Sequence, residues 1–192
     1  MKYTDRFADA LNYTARLHAN QSRKGTPIPY ISHLLSVTAL VIENGGDEDQ
    51  AIGALLHDAV EDQGGLSRLE EIRTRFGLGV AEIVDGCTDA YQTPKLPWRQ
   101  RKEDYLLHLR RVQPNVLLVS LADKVHNARS LVASIRHHGT TFWSNFNGGK
   151  EGTLWYYQAL LEVFQQIYPG YLTDELDHLV QELQTMTGAA AE

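Results

Sequence analysis

Apolar residues recur at helical spacing along nearly the whole chain, and Gly, Pro and short polar runs interrupt them at intervals. Thr4 is placed to cap a first helix running to about Asn20, with Phe7, Leu11 and Ala15 on one stripe. RKGTPIPY at 23–30 is a loop, because Gly25, Pro27 and Pro29 all break helices. A second helix follows from about Ser32 to Glu43 and stops at Gly45-Gly46. Asp47 caps a third, spanning about 48–62, which Gly64-Gly65 ends. Ser67 with Glu70 reads as the capping box of a fourth, stopped by Gly77. A fifth covers about 78–88, and TDAYQTPKLP at 88–97 is a loop.

Pro97 sits well as the first residue of a sixth helix over about 97–112, and Pro114 opens a seventh. That seventh helix starts with VLLVSL, which by content alone could be a buried strand. Its continuation into ADKVHNARSL decides for a helix, apolar on nearly every side in its first half and therefore buried. HHGTTFWSNFNGG is expected to be a long aromatic and glycine-rich loop, and helices over about 151–168 and 173–186 complete the pattern. No repeat or linker-like run divides the chain. The expectation is an all-α fold of about eight to ten helices, one domain over 1–188, and a flexible tail at 189–192.

Composition narrows the classes. With 43% hydrophobic residues among 192, the chain can fill a core. One Cys rules out an internal disulfide and every multi-cysteine metal site. No apolar run reaches the roughly 18 residues of a membrane span, and the polar N-terminus lacks a signal peptide's apolar core. A cytoplasmic protein with no membrane partner is expected. The net charge of −6 disfavours a nucleic-acid partner. It leaves room for an anionic small molecule held by a few clustered cations or a metal.

Three places carry chemistry. His57-Asp58 follows the apolar run AIGALL, and Glu61 and Asp62 stand one helical turn further on, i+4 from each. One helix would thus show a His and three carboxylates along a strip, an arrangement that a cation relieves and that a solvated acidic helix end also explains. Asp123 follows six mostly apolar residues in a helix that should be buried, so it needs a salt-bridge partner, a capping role or a metal. His33 lies on the apolar side of its helix with Ile31, Leu34 and Leu35, where a lone His is usually a satisfied core residue. Taken together, His33, His57, Asp58 and Asp123 supply two imidazoles and two carboxylates, a set suited to Mn, Fe, Zn or Mg. Such an ion lowers the pKa of bound water toward about 7, and Glu61 and Asp62 stand where one can take a proton and the other orient the water.

Candidate anion contacts are Arg23 and Lys24 on the first loop, Lys102 in PWRQRKEDY, and Lys150 at a helix N-terminus. Asn127, one turn past Asp123, can reach a sugar or base. Each of these also has a plain surface or capping reading. His126 reads as a surface residue, Cys87 as core, and the Trp and Tyr residues of 98 and 143–157 as packing.

The ordered set His33, His57-Asp58, Asp123 resembles the H…HD…D signature of the HD-domain metal-dependent phosphohydrolases. RKGTPIPYISH, LLHDAVED, FGLGVAEIVDGCTD and LADKVHNARSL resemble, in order, four segments of the Rel/SpoT alarmone hydrolase domains. The likeness covers roughly residues 4–170, and the chain resembles the small stand-alone alarmone hydrolases, the metazoan Mesh1 type among them. It implies a single HD-domain helical bundle with Mn held by His33, His57, Asp58 and Asp123. It implies that Glu61 and Asp62 drive water onto the 3′-pyrophosphate of (p)ppGpp, giving GDP or GTP and pyrophosphate. Arg23 and Lys24 would flank the nucleotide, Asn127 would reach ribose or base, and Lys102 and Lys150 would meet phosphates.

The chain departs from the family pattern at Leu34, where Pro is common, and at Gln63, where Thr is common; its 23–30 loop is a residue longer. The same metal residues fit (p)ppApp, the 2′-phosphate of NADPH, or a non-catalytic nucleotide sensor. In every case the expected partner is a small nucleotide, and the oligomeric state stays open.

Overall fold

The structure, a computed structural model, describes residues 3–89, 91 and 96–188. Regular structure among them is helical apart from one isolated bridge between Ser22 and Pro29. The described helices are α1 (Asp5–Leu17), α2 (Ile31–Glu43), α3 (Glu48–Leu56), α4 (Ala59–Gln63), α5 (Gly65–Phe76) and α6 (Leu78–Cys87). They continue as α7 (Trp98–Leu109), α8 (Pro114–His138), a 3-10 helix (Thr140–Asn145), α9 (Gly149–Ile167) and α10 (Tyr171–Gly188). No helix among the described residues is long and apolar enough to cross a membrane. Part of the loop expected at 88–97 (residues 90 and 92–95) and the tail expected at 189–192 lie outside the described residues.

Contacts divide the chain into two compact units, Met1–Lys95 with Val112–Asp123, and Leu96–Arg111 with Lys124–Glu192. In the first, α3 is central and packs against α1, α2 and α6. Its start is fixed by a capping box. The Asp47 side chain accepts from the Gln50 amide at 2.8 Å, and the Asp47 amide donates back to Gln50 Oε1 at 3.0 Å. Ala51, Ile52, Ala54, Leu55 and Leu56 then go fully under cover. The first half of α8 is buried on nearly every side from Val116 to Asp123, as its unbroken apolar run requires. In the second unit α9 packs against α7, α10 and the 3-10 helix, burying Tyr156, Tyr157, Leu160, Leu161 and Phe164.

Four expectations need correction. The buried face of α1 is Ala10, Tyr13 and Thr14, while Leu11 is 36% exposed. Thr14 supplies the reason, because its hydroxyl donates to Leu55 O and turns that face inward. The single helix expected over 48–62 is two, α3 and α4, separated at His57-Asp58. Ser67 is not a cap. Gly64, at φ 138°, starts α5, and the Ser67 hydroxyl donates to Gly64 O from inside the first turn. The loop after α8 contains a 3-10 helix, whose Phe142 and Trp143 are buried.

Gly53 marks where α3 and α6 come closest. A Cβ there would lie 2.5 Å from Ile83 Cγ2. Ala favours a helix over Gly by about 1 kcal/mol. Overpacking typically costs about 1–3 kcal/mol, so the clash wins. Gly53→Ala should lower the urea midpoint by a net loss of about 1 kcal/mol with an unchanged slope. A raised midpoint would show that α6 moves aside freely.

Candidate metal centre and active site

The site is assembled in the first unit from α2, the α3–α4 break and α8. His33 is in the first turn of α2 and fully buried. Tyr30 O accepts its amide at 2.9 Å, which seats the ring at the mouth of the 21–30 loop. His57 Nδ1 lies 2.8 Å from Ala54 O, the acceptor that a continuing helix would offer to the Asp58 amide. The side chain so occupies a backbone position, α3 ends at Leu56, and Asp58 takes φ −97° and ψ −2° before α4 starts. That contact requires a proton on Nδ1, which turns the Nε2 edge toward the site.

Four side chains then converge. His57 Nε2 is 3.0 Å from Asp58 Oδ2 and 3.6 Å from Asp123 Oδ1. His33 Nε2 is 3.2 Å from Asp123 Oδ1 and 3.5 Å from Asp58 Oδ2. The two imidazoles meet edge to face at 5.2 Å. Ligand atoms of His33, His57 and Asp58 lie within 4.8 Å of one another, a spread that one divalent cation can span.

Orientation separates a metal site from a salt bridge. His57 Nε2 is buried with carboxylate oxygens within reach, yet forms no aligned hydrogen bond. Nitrogens and oxygens that aim at a common point instead of at each other fit a cation between them. Burial, the largest effect, works to lower the pKa of His57. The carboxylates of Asp58 and Asp123 reverse it and hold His57 well above the ordinary 6.5. Burial likewise works to raise Asp58, and the His57 and His33 rings beside its carboxylate reverse it and hold Asp58 well below 3.8.

Around this centre lie side chains that the hydrophobic pattern did not single out. The Tyr30 hydroxyl donates to Asp58 Oδ2 at 2.6 Å, and burial with that carboxylate raises its own pKa. Gln21 Nε2 donates to Asp62 Oδ2 at 2.7 Å, and His18 Nδ1 lies 2.7 Å from Gln21 Oε1. Tyr30 reads as turn punctuation after two prolines, and Gln21 sits in the polar run HANQSRK. Neither context signals where a side chain goes.

The remaining expected residues are placed as follows. Glu61 and Asp62 are in α4, one turn past His57-Asp58, and the Asp62 amide donates to Asp58 O at 3.0 Å. Arg23 and Lys24 stand on the loop that the Ser22–Pro29 bridge closes, with the Arg23 guanidinium 5.6 Å from the centroid of the Tyr30 ring. Lys102, Asn127 and Lys150 belong to the second unit. There the Lys102 ammonium is 5.0 Å from the centroid of the Tyr156 ring, and Lys150 Nζ donates to Thr187 O in the last turn of α10.

The raised His57 value has a sign that can be tested. In metal-free protein it stabilises the fold below the ordinary imidazole value, and that contribution fades as pH climbs through the raised one. A cation needs the Nε2 lone pair, so its apparent affinity rises with pH over the same interval. Calorimetric titration with Mn in buffers of different ionisation heat should show proton release at neutral pH. Binding without proton release would show that His57 is already neutral. His57→Ala should weaken metal binding by more than the roughly 10–100-fold that changes behind a ligand cost.

Known proteins similar to this chain identify its family. The HD-domain family matches residues 10–154. MESH1 of Xenopus tropicalis, named a guanosine-3′,5′-bis(diphosphate) 3′-pyrophosphohydrolase, is 39% identical over 126 residues, 64% of this chain and 68% of its own. Human MESH1, with the same description, is 37% identical over 128 residues, again 64% and 68%. The solved structure of a metazoan ortholog of SpoT, described as hydrolysing ppGpp, superposes with a TM-score of 0.79 over 95% of this chain and 97% of its own. Its identity of 24% makes that a likeness of fold. The chain belongs to the HD-domain family, among relatives of the MESH1 type.

Proposed function

We propose that the chain hydrolyses the guanosine alarmone (p)ppGpp at its 3′-pyrophosphate, releasing GDP or GTP and pyrophosphate. The observation that carries this reading is the convergence of buried His33, His57 and Asp123 with part-exposed Asp58, with Glu61 and Asp62 one helical turn past His57-Asp58. The 3′-pyrophosphohydrolase description of the MESH1 relatives supports the substrate. Asp123 completes the ligand set, and Mn suits two imidazoles and two carboxylates. The bound cation supplies positive charge that polarises phosphate and acidifies water.

The protein's own residues do the rest. One of Glu61 and Asp62 takes the proton of the attacking water, and the other orients that water. The water oxygen bonds to the phosphorus on the ribose 3′ oxygen, that P–O bond breaks, and the 3′ oxygen takes up the proton the carboxylate accepted and leaves as a hydroxyl. Arg23 and Lys24 flank the nucleotide. With a net charge of −6, the chain needs such local cations to admit an anion at all.

A product assay with Mn on ppGpp, ppApp and NADPH side by side tests the reading. Pyrophosphate release from ppGpp is expected. Glu61→Ala should lower kcat by about 100–10,000-fold, the usual range for general acid–base groups. Turnover of ppApp or NADPH alone would move the base or the phosphoester. No turnover of any, with metal bound, would leave a nucleotide sensor.

A further inference from the structure

Gln21 sits at a junction of three polar side chains. Its Oε1 is 2.7 Å from His18 Nδ1 and accepts from Gln63 Nε2 at 2.9 Å. Its Nε2 donates to Asp62 Oδ2 at 2.7 Å. The chemistry of these neighbours fixes which way the amide points. A carboxylate oxygen only accepts, so it must face the NH2 group, and the amide oxygen must face the donors. His18 then carries its proton on Nδ1. Its other nitrogen, Nε2, is buried without a hydrogen-bond partner, so the ring is held by Gln21 on one edge and by stacking on Tyr30 at 5.5 Å. The backbone of Gln21 is pinned as well: its amide donates to His18 O at 3.0 Å, and its carbonyl accepts from the Tyr30 amide at 2.9 Å.

We propose that Gln21 is a positioning residue for hydrolysis, aiming the Asp62 carboxylate at the reacting water and tying α4 to the base of the 21–30 loop. The proposal rests on the role given above to Asp62. The three hydrogen bonds span α1, the loop and α4, so neither α4 nor the loop shifts without breaking one of them. His18 and Gln63 act through Gln21. By donating to its oxygen they prevent the flip that would put Oε1 against Asp62.

The test is a kinetic comparison in the full chain loaded with Mn, with ppGpp as substrate. Gln21→Met keeps length and removes both amide functions. His18→Phe keeps the stack on Tyr30 and removes the Nδ1 donor. It gives up no bond at Nε2, where there is none. In Gln21→Met, kcat should fall about 10–100-fold, the cost of misplacing a catalytic group, while KM and bound metal per chain stay near wild type. His18→Phe should lower kcat in the same direction by less. On an Asp62→Asn background Gln21→Met should cause no further loss, because its only route to the chemistry is gone.

Wild-type kcat in Gln21→Met beside a crippled Asp62→Asn overturns the proposal, as do losses that multiply in the double variant. Full turnover by Asp62→Asn instead removes the role of Asp62 on which the proposal rests. If Gln21→Met does not fold, the His18→Phe comparison decides on the same criteria.

Discussion

Two buried imidazoles, the buried carboxylate of Asp123 and the part-exposed one of Asp58 meet around one point and set the terms for the rest of the first unit. Removing such groups from water costs several kcal/mol per ion unless opposite charge and hydrogen bonds replace the solvent. Here one oxygen of each carboxylate lies within 3.6 Å of both Nε2 atoms. In metal-free protein a proton on His57 answers for the excess negative charge. Under the proposed function a divalent cation takes its place. The α3–α4 break and Tyr30 at the head of α2 both present polar atoms to this point.

Close helix packing makes that convergence reachable from distant parts of the chain. His33, His57-Asp58 and Asp123 come from three segments, and small residues line the joints between them. A Cβ on Gly53 would meet Ile83 at 2.5 Å, and one on Gly86 would meet Val116 at 2.7 Å. One on Gly46 would meet Val41 at 2.5 Å and Leu118 at 3.2 Å. These contacts draw α6 and the start of α8 in against α2 and α3. Ligand atoms must agree to a few tenths of an ångström to share an ion. A tightly packed interior supplies that stiffness because it resists small displacements.

Most of the helices are legible in the sequence because their ends carry local chemistry. Thr4, Asp47, Pro114 and the glycines at 45–46, 64–65 and 77 act on their own neighbours, and the structure places helix boundaries at or beside each. Ser67 misleads because a capping pattern inside a helix looks like one at its start, and Gly64 supplies the turn instead. The face of α1 misleads because Leu11 and Ala15 fit a stripe, while Thr14 finds a backbone acceptor at Leu55 that no pattern reveals. The candidate ligands stand out as polar residues in apolar surroundings, an anomaly that one-dimensional reading detects. Gln21 stands in a polar run and Tyr30 behind two prolines, so neither looks out of place. Their partners, Asp62 and Asp58, lie far away in sequence and are found only in three dimensions.

Under the proposed function, a neutral amide at position 21 suits a carboxylate that must orient water or accept its proton. A Lys or Arg there would hold Asp62 through a stronger, charge-assisted bond. A cation so close would also favour the ionised carboxylate and weaken its hold on a proton. An amide orients the carboxylate with a smaller electrostatic effect, and its own direction is enforced by the two donors on its oxygen. Positive charge in this loop is kept two and three residues further on, at Arg23 and Lys24, with the Arg23 guanidinium over the Tyr30 ring. Under the proposed function the loop thus offers its cations to an anionic substrate and a neutral donor to Asp62. The 21–30 loop can serve both tasks because Gln21 at its base is neutral.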